Sequence, residues 1–518
     1  MKTIQKNKIH QKAIGSYTNN EYSITELAIL SDSVISLGAS LAIGLLIVTP
    51  AIMAVIAIFK QDIDFTMNLY IPMVKHLAFP FACSIILIVY IISIIRLKAN
   101  KVSIIKIFQQ NPTFVIFFIA VVLIIISQFY NGLDYAIFGT SSITLGESFG
   151  MEIGYFIFVL FGASQVKEEK HKRNLLRIQC VVSCILVDAA FILWHTQVYS
   201  EFFSDWEPRF SSIFSNTNYY GYYLAISVPI TAAEFVYESK KFWKFFVGLA
   251  FVLNTVAMSL NNTLGAWVAA SVSILFIIIA HFIIEKKYNW QTLVIIPAFV
   301  ICLFIPSNLE GTFSENFSSL FEDVSKVAQG GIEADDAGSG RWLIWKESME
   351  IVYDNSLLGI GFEGVRQRSY VGPPYNIRPH NEYIQYALFH GVPMAFLYFI
   401  GCFAVFIRAL RKKDSLDGAT LVCLSGALGY LVSAFFGMTV FGTAYFLFIF
   451  LGMGYVRDTD EDLSSKAENG ISKNMFILII LLLMIVAVLL TILFSQRGNG
   501  YYKDGIQNLP IVSENIFY

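Results

Sequence analysis

The stretch Asn376–Lys413, "NIRPHNEYIQYALFHGVPMAFLYFIGCFAVFIRALRKK", passes within a few residues from polar to apolar, stays apolar over about 383–407, and closes on a basic cluster. Such a run exceeds the roughly 20 residues that a helix needs to cross about 30 Å of hydrocarbon. A short basic cluster behind it is what loops retained on the inner side of a membrane collect. In front of it, Arg378, Pro379, His380, Asn381 and Glu382 set a permanent cation, a titratable ring, an amide and a carboxylate at the mouth of the span. Asn is a good helix N-cap and an acid suits the first turn, so a helix is predicted to open there.

The pattern recurs along the whole chain. Its 518 residues are 56% hydrophobic and 14% charged with a mean hydropathy of +0.62, which excludes an ordinary soluble globular protein. Apolar runs fall at about 34–59, 77–95, 113–130, 148–164, 178–195, 218–237, 245–260, 265–284, 291–306, 383–407, 417–435, 440–455 and 474–494. The expected fold is all-α and polytopic, with about 12–14 transmembrane helices. With the N-terminus inside, the stretches "RLKANKVSIIK", "KEEKHKRNLLR", "ESKKFWK", "EKK" and "RALRKK" all fall on the inner side. The polar start lacks a small-residue cleavage pattern after its first apolar run, so that run reads as a retained span. A net charge of −2 points away from nucleic acid, and the six cysteines all sit inside apolar runs, so neither a disulfide frame nor a zinc site is suggested.

Three regions follow: a transmembrane bundle over 1–306, an extracytoplasmic insertion over 307–381, and late transmembrane helices with a tail over 382–518. No internal repeat or low-complexity tract is seen, so any chemistry belongs to the outer face. Within the insertion, "SGRWLIWKESMEIVYD" reads as an amphipathic helix from Arg341 to about Tyr353 that can lie on the bilayer surface, stopped by Asp354 and Asn355. The outer face gathers Arg209, Arg341, Arg366, Arg368, Arg378 and His380. A guanidinium offers a fork of donors matched to phosphate, and a histidine can take or give a proton near neutral pH. The plain alternatives are headgroup-binding arginines and a capping histidine. "GIGFEG" (Gly359–Gly364) has dinucleotide-loop spacing but no preceding strand, and reads as a tight re-entrant turn. Asp188, in the middle of a span, is either functional or hydrogen-bonded to a neighbour such as Asn254. "EADD" (Glu333–Asp336) reads as a solvated acidic turn, and no metal site is expected.

Taken together, "SGRWLIWKESMEIVYDNSLLGIGFEGV", then "RPHNEYIQYALFHGV", with "RFSSIFSNTNYYGYYLAI" upstream, resemble the O-antigen ligase and O-antigen polymerase superfamily over about 205–400. Arg209, Asn216 and Asn218 match the upstream pattern, while Ser356 and Thr217 stand where the family has proline, and Leu264 stands where it often has an arginine. The resemblance implies a GT-C-like, metal-independent, inverting membrane glycosyltransferase without a cofactor, at the outer face of the cytoplasmic membrane. Its donor would be a polyprenyl-diphosphate-linked oligosaccharide and its acceptor a glycan or lipid-linked hydroxyl in the lipid bilayer, with flippase and chain-length regulator proteins as partners. It further implies catalytic roles for His380, as base or orienting group, and for Arg341 and Arg209 on the leaving diphosphate, with Arg378, Asn381, Arg366, Arg368 and Asn218 binding substrate. Richness in Ile, Lys, Asn and Phe, as in an AT-rich genome and a cell without lipopolysaccharide, favours polymerase over ligase. A transporter of lipid-linked sugars and a scaffolding membrane subunit are the readings from other classes.

Overall fold

A computed structural model describes residues 19–60, 78–99, 112–131, 149–195, 210–214, 216–286, 289–303, 313–330, 340–362 and 378–456, with a few isolated positions between them. Among these residues the chain is helical, without a strand. The helices are α1 (Asn19–Lys60), α2 (Phe79–Ala99), α3 (Pro112–Asn131), α4 (Phe149–Ile153, then a π segment Gly154–Val159, then Leu160–Ser164), α5 (Glu169–His195) and α6 (Thr217–Tyr237). They continue as α7 (Lys241–Asn261), α8 (Leu264–Glu285), α9 (Trp290–Leu303), α10 (Phe313–Gln329), α11 (Arg341–Asp354), α12 (Glu382–His390), α13 (Val392–Arg411), α14 (Gly418–Ser433) and α15 (Phe441–Met453). Six of them are long and apolar enough to cross a membrane, and five shorter apolar helices accompany them. The chain is therefore a multi-pass, all-α membrane protein. The expected span at 474–494 lies outside the described residues.

α6 is the axis of the bundle, with every residue from Tyr220 to Glu234 buried. A helix apolar all round must be enclosed on all sides, and α5, α7, α8 and α14 enclose it. Its closest neighbour is α14, and the reason lies in two residues. Pro229 has no N–H to give to the Ala225 carbonyl four residues earlier. Gly429 of α14 approaches that carbonyl so closely that a Cβ there would stand 2.0 Å from the oxygen. Small residues let backbones meet in this way where lipid offers helices no hydrophobic drive to associate.

The run expected as one span over 383–407 is two helices. The break is Gly391, at φ +90, where a Cβ would lie 2.2 Å from the Leu357 carbonyl oxygen. The turn 355–360 is wedged into it: Ile360 N–H donates to Leu388 O at 2.9 Å and Val392 N–H donates to Ser356 O at 2.8 Å. Of "GIGFEG", read as a tight turn, Gly359 and Ile360 close this wedge, and the chain is helical again at Gly361 and Phe362. From α3, Ser127 Oγ donates to Leu358 O at 2.6 Å and to Phe389 O at 3.1 Å, which ties the wedge down.

Two further departures concern charge. "KEEKHKRNLLR", read as a basic loop, is largely the first three turns of α5. It is helical because its cations have partners: Arg177 reaches Glu238 through Nε and a terminal nitrogen at 2.8 and 2.7 Å, Arg173 lies 3.5 Å from Glu234, and Lys172 meets Asp417 at 3.2 Å and Thr420 at 2.9 Å. Asp188 does not join Asn254, whose amide donates to Ser183 Oγ at 3.0 Å and to Ala250 O at 2.7 Å. Five residues beyond Ser183, Asp188 points about 140° around the helix and is exposed on the outside of α5.

Candidate functional site

His380 stands on the turn that opens α12, at the end of the bundle opposite the ion pairs of α5. The turn is fixed from three sides. On one, Trp345 Nε1–H of α11 donates to Pro379 O at 2.6 Å. On the second, Asn381 caps α12, its side-chain oxygen accepting from Tyr383 N–H at 3.1 Å and Ile384 N–H at 3.2 Å. On the third, Glu382 N–H donates to Ala434 O at 2.9 Å, beyond the end of α14.

The Glu382 side chain runs inward, where Tyr398 of α13 donates to Oε1 at 2.6 Å and Tyr430 of α14 to Oε2 at 2.7 Å. These two bonds bind the first turn of α12 to two long helices. So held, His380 adopts φ +46, a left-handed conformation uncommon outside glycine. In "His-Asn-Glu" the three side chains have three duties: one faces the site, one caps the helix, one anchors it in the core.

Arg341 opens α11, and α11 packs on α12, with Val352 and Ser348 buried. One face of this helix is held to the bundle, and Trp342, Lys346, Glu347, Met349, Glu350 and Tyr353 are exposed on the rest of it. Arg378 reaches the Met438 sulfur at 3.9 Å. Met438, Val440, Tyr222 and Tyr219 form a small apolar cluster beside it. Tyr222 lies one helical turn beyond Asn218 on α6, so Asn218 is at this same end, its N–H bonded to the Asn216 cap at 2.8 Å. Leu264 opens α8 here too, and its neighbour Gly265 packs on Phe436.

Burial and the charges of Arg341 and Arg378 hold the His380 imidazole down to about 4, from an ordinary value near 6.5. At neutral pH the ring is uncharged, able to accept a hydrogen bond or a proton, and it has two guanidinium groups close by. Arg341, Arg378, His380, Asn381 and Asn218 of the expected site are brought to one end of the bundle. Arg209, Arg366 and Arg368 lie outside the described residues, as do Glu333 and Asp336.

Sequence reasoning gave Glu382 only a helix-dipole role, and it missed Tyr398, Tyr430 and Tyr222. It also missed a second buried polar centre, where His390 Nε2 lies 2.7 Å from Glu152 and Nδ1 lies 3.2 Å from the Gln128 amide. His390 is the last residue before the Gly391 break, so this centre braces the wedge from α3 and α4. The one available signal was a histidine and a glutamate inside apolar runs, where ionisable groups are costly.

Residues 249–399 match the family described as O-Antigen ligase, from the middle of α7 into α13. The matched segment contains Leu264, Arg341, Arg378, His380, Asn381 and Glu382, while Asn218 and Arg209 precede it. No curated protein matches the chain.

Proposed function

Over residues 249–399 the chain belongs to the O-antigen ligase and polymerase superfamily, and on that premise we propose that it moves glycan from a polyprenyl-diphosphate carrier to an acceptor hydroxyl at the outer face of the cytoplasmic membrane. The observation that carries this reading is a neutral, largely buried His380 beside the two guanidinium groups of Arg341 and Arg378. In the step, the acceptor oxygen bonds to the anomeric carbon as the bond from that carbon to the diphosphate oxygen breaks, and the diphosphate leaves with the electron pair. His380 orients the acceptor hydroxyl and takes its proton. Arg341 and Arg378 meet the charge that grows on the leaving group, where fixed donors act most strongly on a transition state. Asn218 offers an amide to the sugars, Asn381 fixes the turn that presents His380, and Arg209, Arg366 and Arg368 are further candidates for the diphosphate. The outward orientation is supported by the basic loops at the opposite end.

We favour a polymerase that extends lipid-linked repeat units. The family description, O-Antigen ligase, supports the second reading, in which the acceptor is a different lipid or a protein. Reconstituted protein supplied only with lipid-linked repeats separates the two, since a ladder of products requires a polymerase. The site is tested by surface-glycan length in the wild type, His380→Ala and Arg341→Ala at equal protein level. Collapse of the ladder in both variants is the expected result, and persistence in both overturns the assignment.

A further inference from the structure

α12 has nine residues and runs about 13 Å, too short a helix to hold its own place in the bundle. The break at Gly391 separates it from the long span α13, so the membrane that fixes α13 does not fix α12. Its side chains supply what length does not. Glu382, Tyr386 and His390 stand four residues apart, which puts them on one face of the helix, and all three are buried. At the first end Tyr398 and Tyr430 hold Glu382. Midway, the Tyr386 ring meets Tyr398 at 4.5 Å between centroids and Phe156 of α4 at 6.3 Å. At the last end His390 lies between Glu152 and Gln128, with the ring of Phe362 at 5.6 Å. The charge of Glu152 is felt at Glu382 and at Tyr386, so both ends of α12 belong to one polar network.

The transfer step uses neither His390 nor Glu152, and stability does not account for them. A buried pair exchanged for apolar side chains of similar volume is often neutral to folding or favourable, and an ionisable residue among membrane helices is costly to keep. What the pair offers that two leucines do not is a single arrangement in which it is satisfied. The backbone of α4 supports this, since it widens into a π segment over Gly154–Val159 directly after Glu152, and such segments fall frequently at functional sites. We propose that Glu152 and His390 are positioning residues for the transfer, clamping the far end of α12 so that the His380 turn at its near end stays in register with Arg341 on α11. With the clamp released, α12 pivots about Glu382 and His380 turns away from the two guanidinium groups. The inference rests on the function proposed above, and adds two residues that act through His380.

The test uses the full-length protein in phospholipid vesicles. The variant Glu152→Leu/His390→Leu removes both partners and strands neither, while Glu152→Gln keeps the shape of the clamp and a polar contact for His390. In the double variant kcat should fall about tenfold, with the KM for donor and the unfolding midpoint near those of the wild type, and Glu152→Gln should retain most of the wild-type kcat. A second measurement needs no glycan: diethyl pyrocarbonate attacks the neutral imidazole, and the His380 peptide is followed by mass spectrometry as a function of pH. Labelling in the wild type should fall away only as pH approaches about 4. In the double variant its midpoint should rise toward the ordinary value near 6.5 as the ring leaves Arg341 and Arg378. Wild-type kcat in the double variant, or a lowered kcat with an unmoved midpoint, overturns the clamp. A double variant that fails to fold, or loses kcat only in proportion to folded protein, overturns it as well, because the pair then serves stability alone. A moved midpoint in a protein that transfers no glycan upholds the clamp and removes the glycosyltransferase reading, whereas transfer with an unmoved midpoint does the reverse.

Discussion

The two ends of the bundle use the same side chain differently. At the α5 end, Arg177 closes on Glu238 with two nitrogens and lies over the Trp243 ring at 5.2 Å, and Arg173 is flanked by Glu169 and Glu234. Charge there is cancelled within the fold. At the His380 end, no described carboxylate forms an ion pair with Arg341, and the titratable group nearby is an imidazole held neutral. A cancelled guanidinium holds helices together, and one set beside a neutral base is left to meet an anion from outside. The difference teaches that counting arginines says little until their partners are known.

The sharpest way to break this contrast is at the His380 end. His380→Ala or Arg341→Ala should lower glycan transfer by roughly 100-fold or more while leaving thermal unfolding in detergent near that of the wild type. Equal loss of fold and activity would put these residues in the same class as Arg177. At the other end, Arg177→Ala removes both bonds to Glu238 Oε2 and leaves that carboxylate the Lys240 N–H on Oε1; it should cost about 3 kcal/mol of stability, read as a lower unfolding midpoint and less folded protein, with transfer per folded molecule retained. Loss of transfer in the folded fraction would erase the distinction between the ends.

Glu382→Gln lies between the two, since it keeps a carbonyl acceptor for one tyrosine and offers the other an amide that can only donate. An effect of about 1–2 kcal/mol on unfolding is expected, together with a fall in kcat as the His380 turn loosens.

The smallest effect is a pH shift. His380 is neutral above about 4, so transfer should hold from neutral pH down to about 5 and fail as pH drops through about 4. In Arg378→Gln one of the cations that depress the ring is gone, and the acid limb should move upward. The same depression makes the unfolded chain take up a proton before the folded one does. This residue's contribution to stability is therefore complete above about 6.5 and is lost as pH falls toward about 4.

Most of the bundle was legible in the sequence because apolar length is a local signal. The runs expected at 218–237, 417–435 and 440–455 are the helices Thr217–Tyr237, Gly418–Ser433 and Phe441–Met453. α10 was missed: Phe313, Phe317, Phe321 and Val324 recur at helical spacing, yet its polar residues hid it within an insertion that reads as polar. The start of α5 was not legible, because the carboxylates that pair the cations of "KEEKHKRNLLR" come from the end of α6, from the residue after it and from just before α14. The break at Gly391 was hidden for a similar reason, as the wedge that requires it is a turn some thirty residues upstream. Within the site, His380 and Arg341 could be picked by their chemistry. Glu382 could not, because its role is set by Tyr398 and Tyr430, which only the folded chain brings to it.

The wedge beneath Gly391 also sets a schedule for synthesis. Ser127 on α3 finds its acceptor at Leu358, 231 residues later. At translation rates of roughly 5–20 residues per second, α3 waits about 10–50 s in the membrane with that hydroxyl uncommitted. The contacts that set the His380 turn come later still, from Tyr398, Tyr430 and Ala434, so a nascent chain stopped before α13 would carry Arg341 and most of its spans yet have no assembled site.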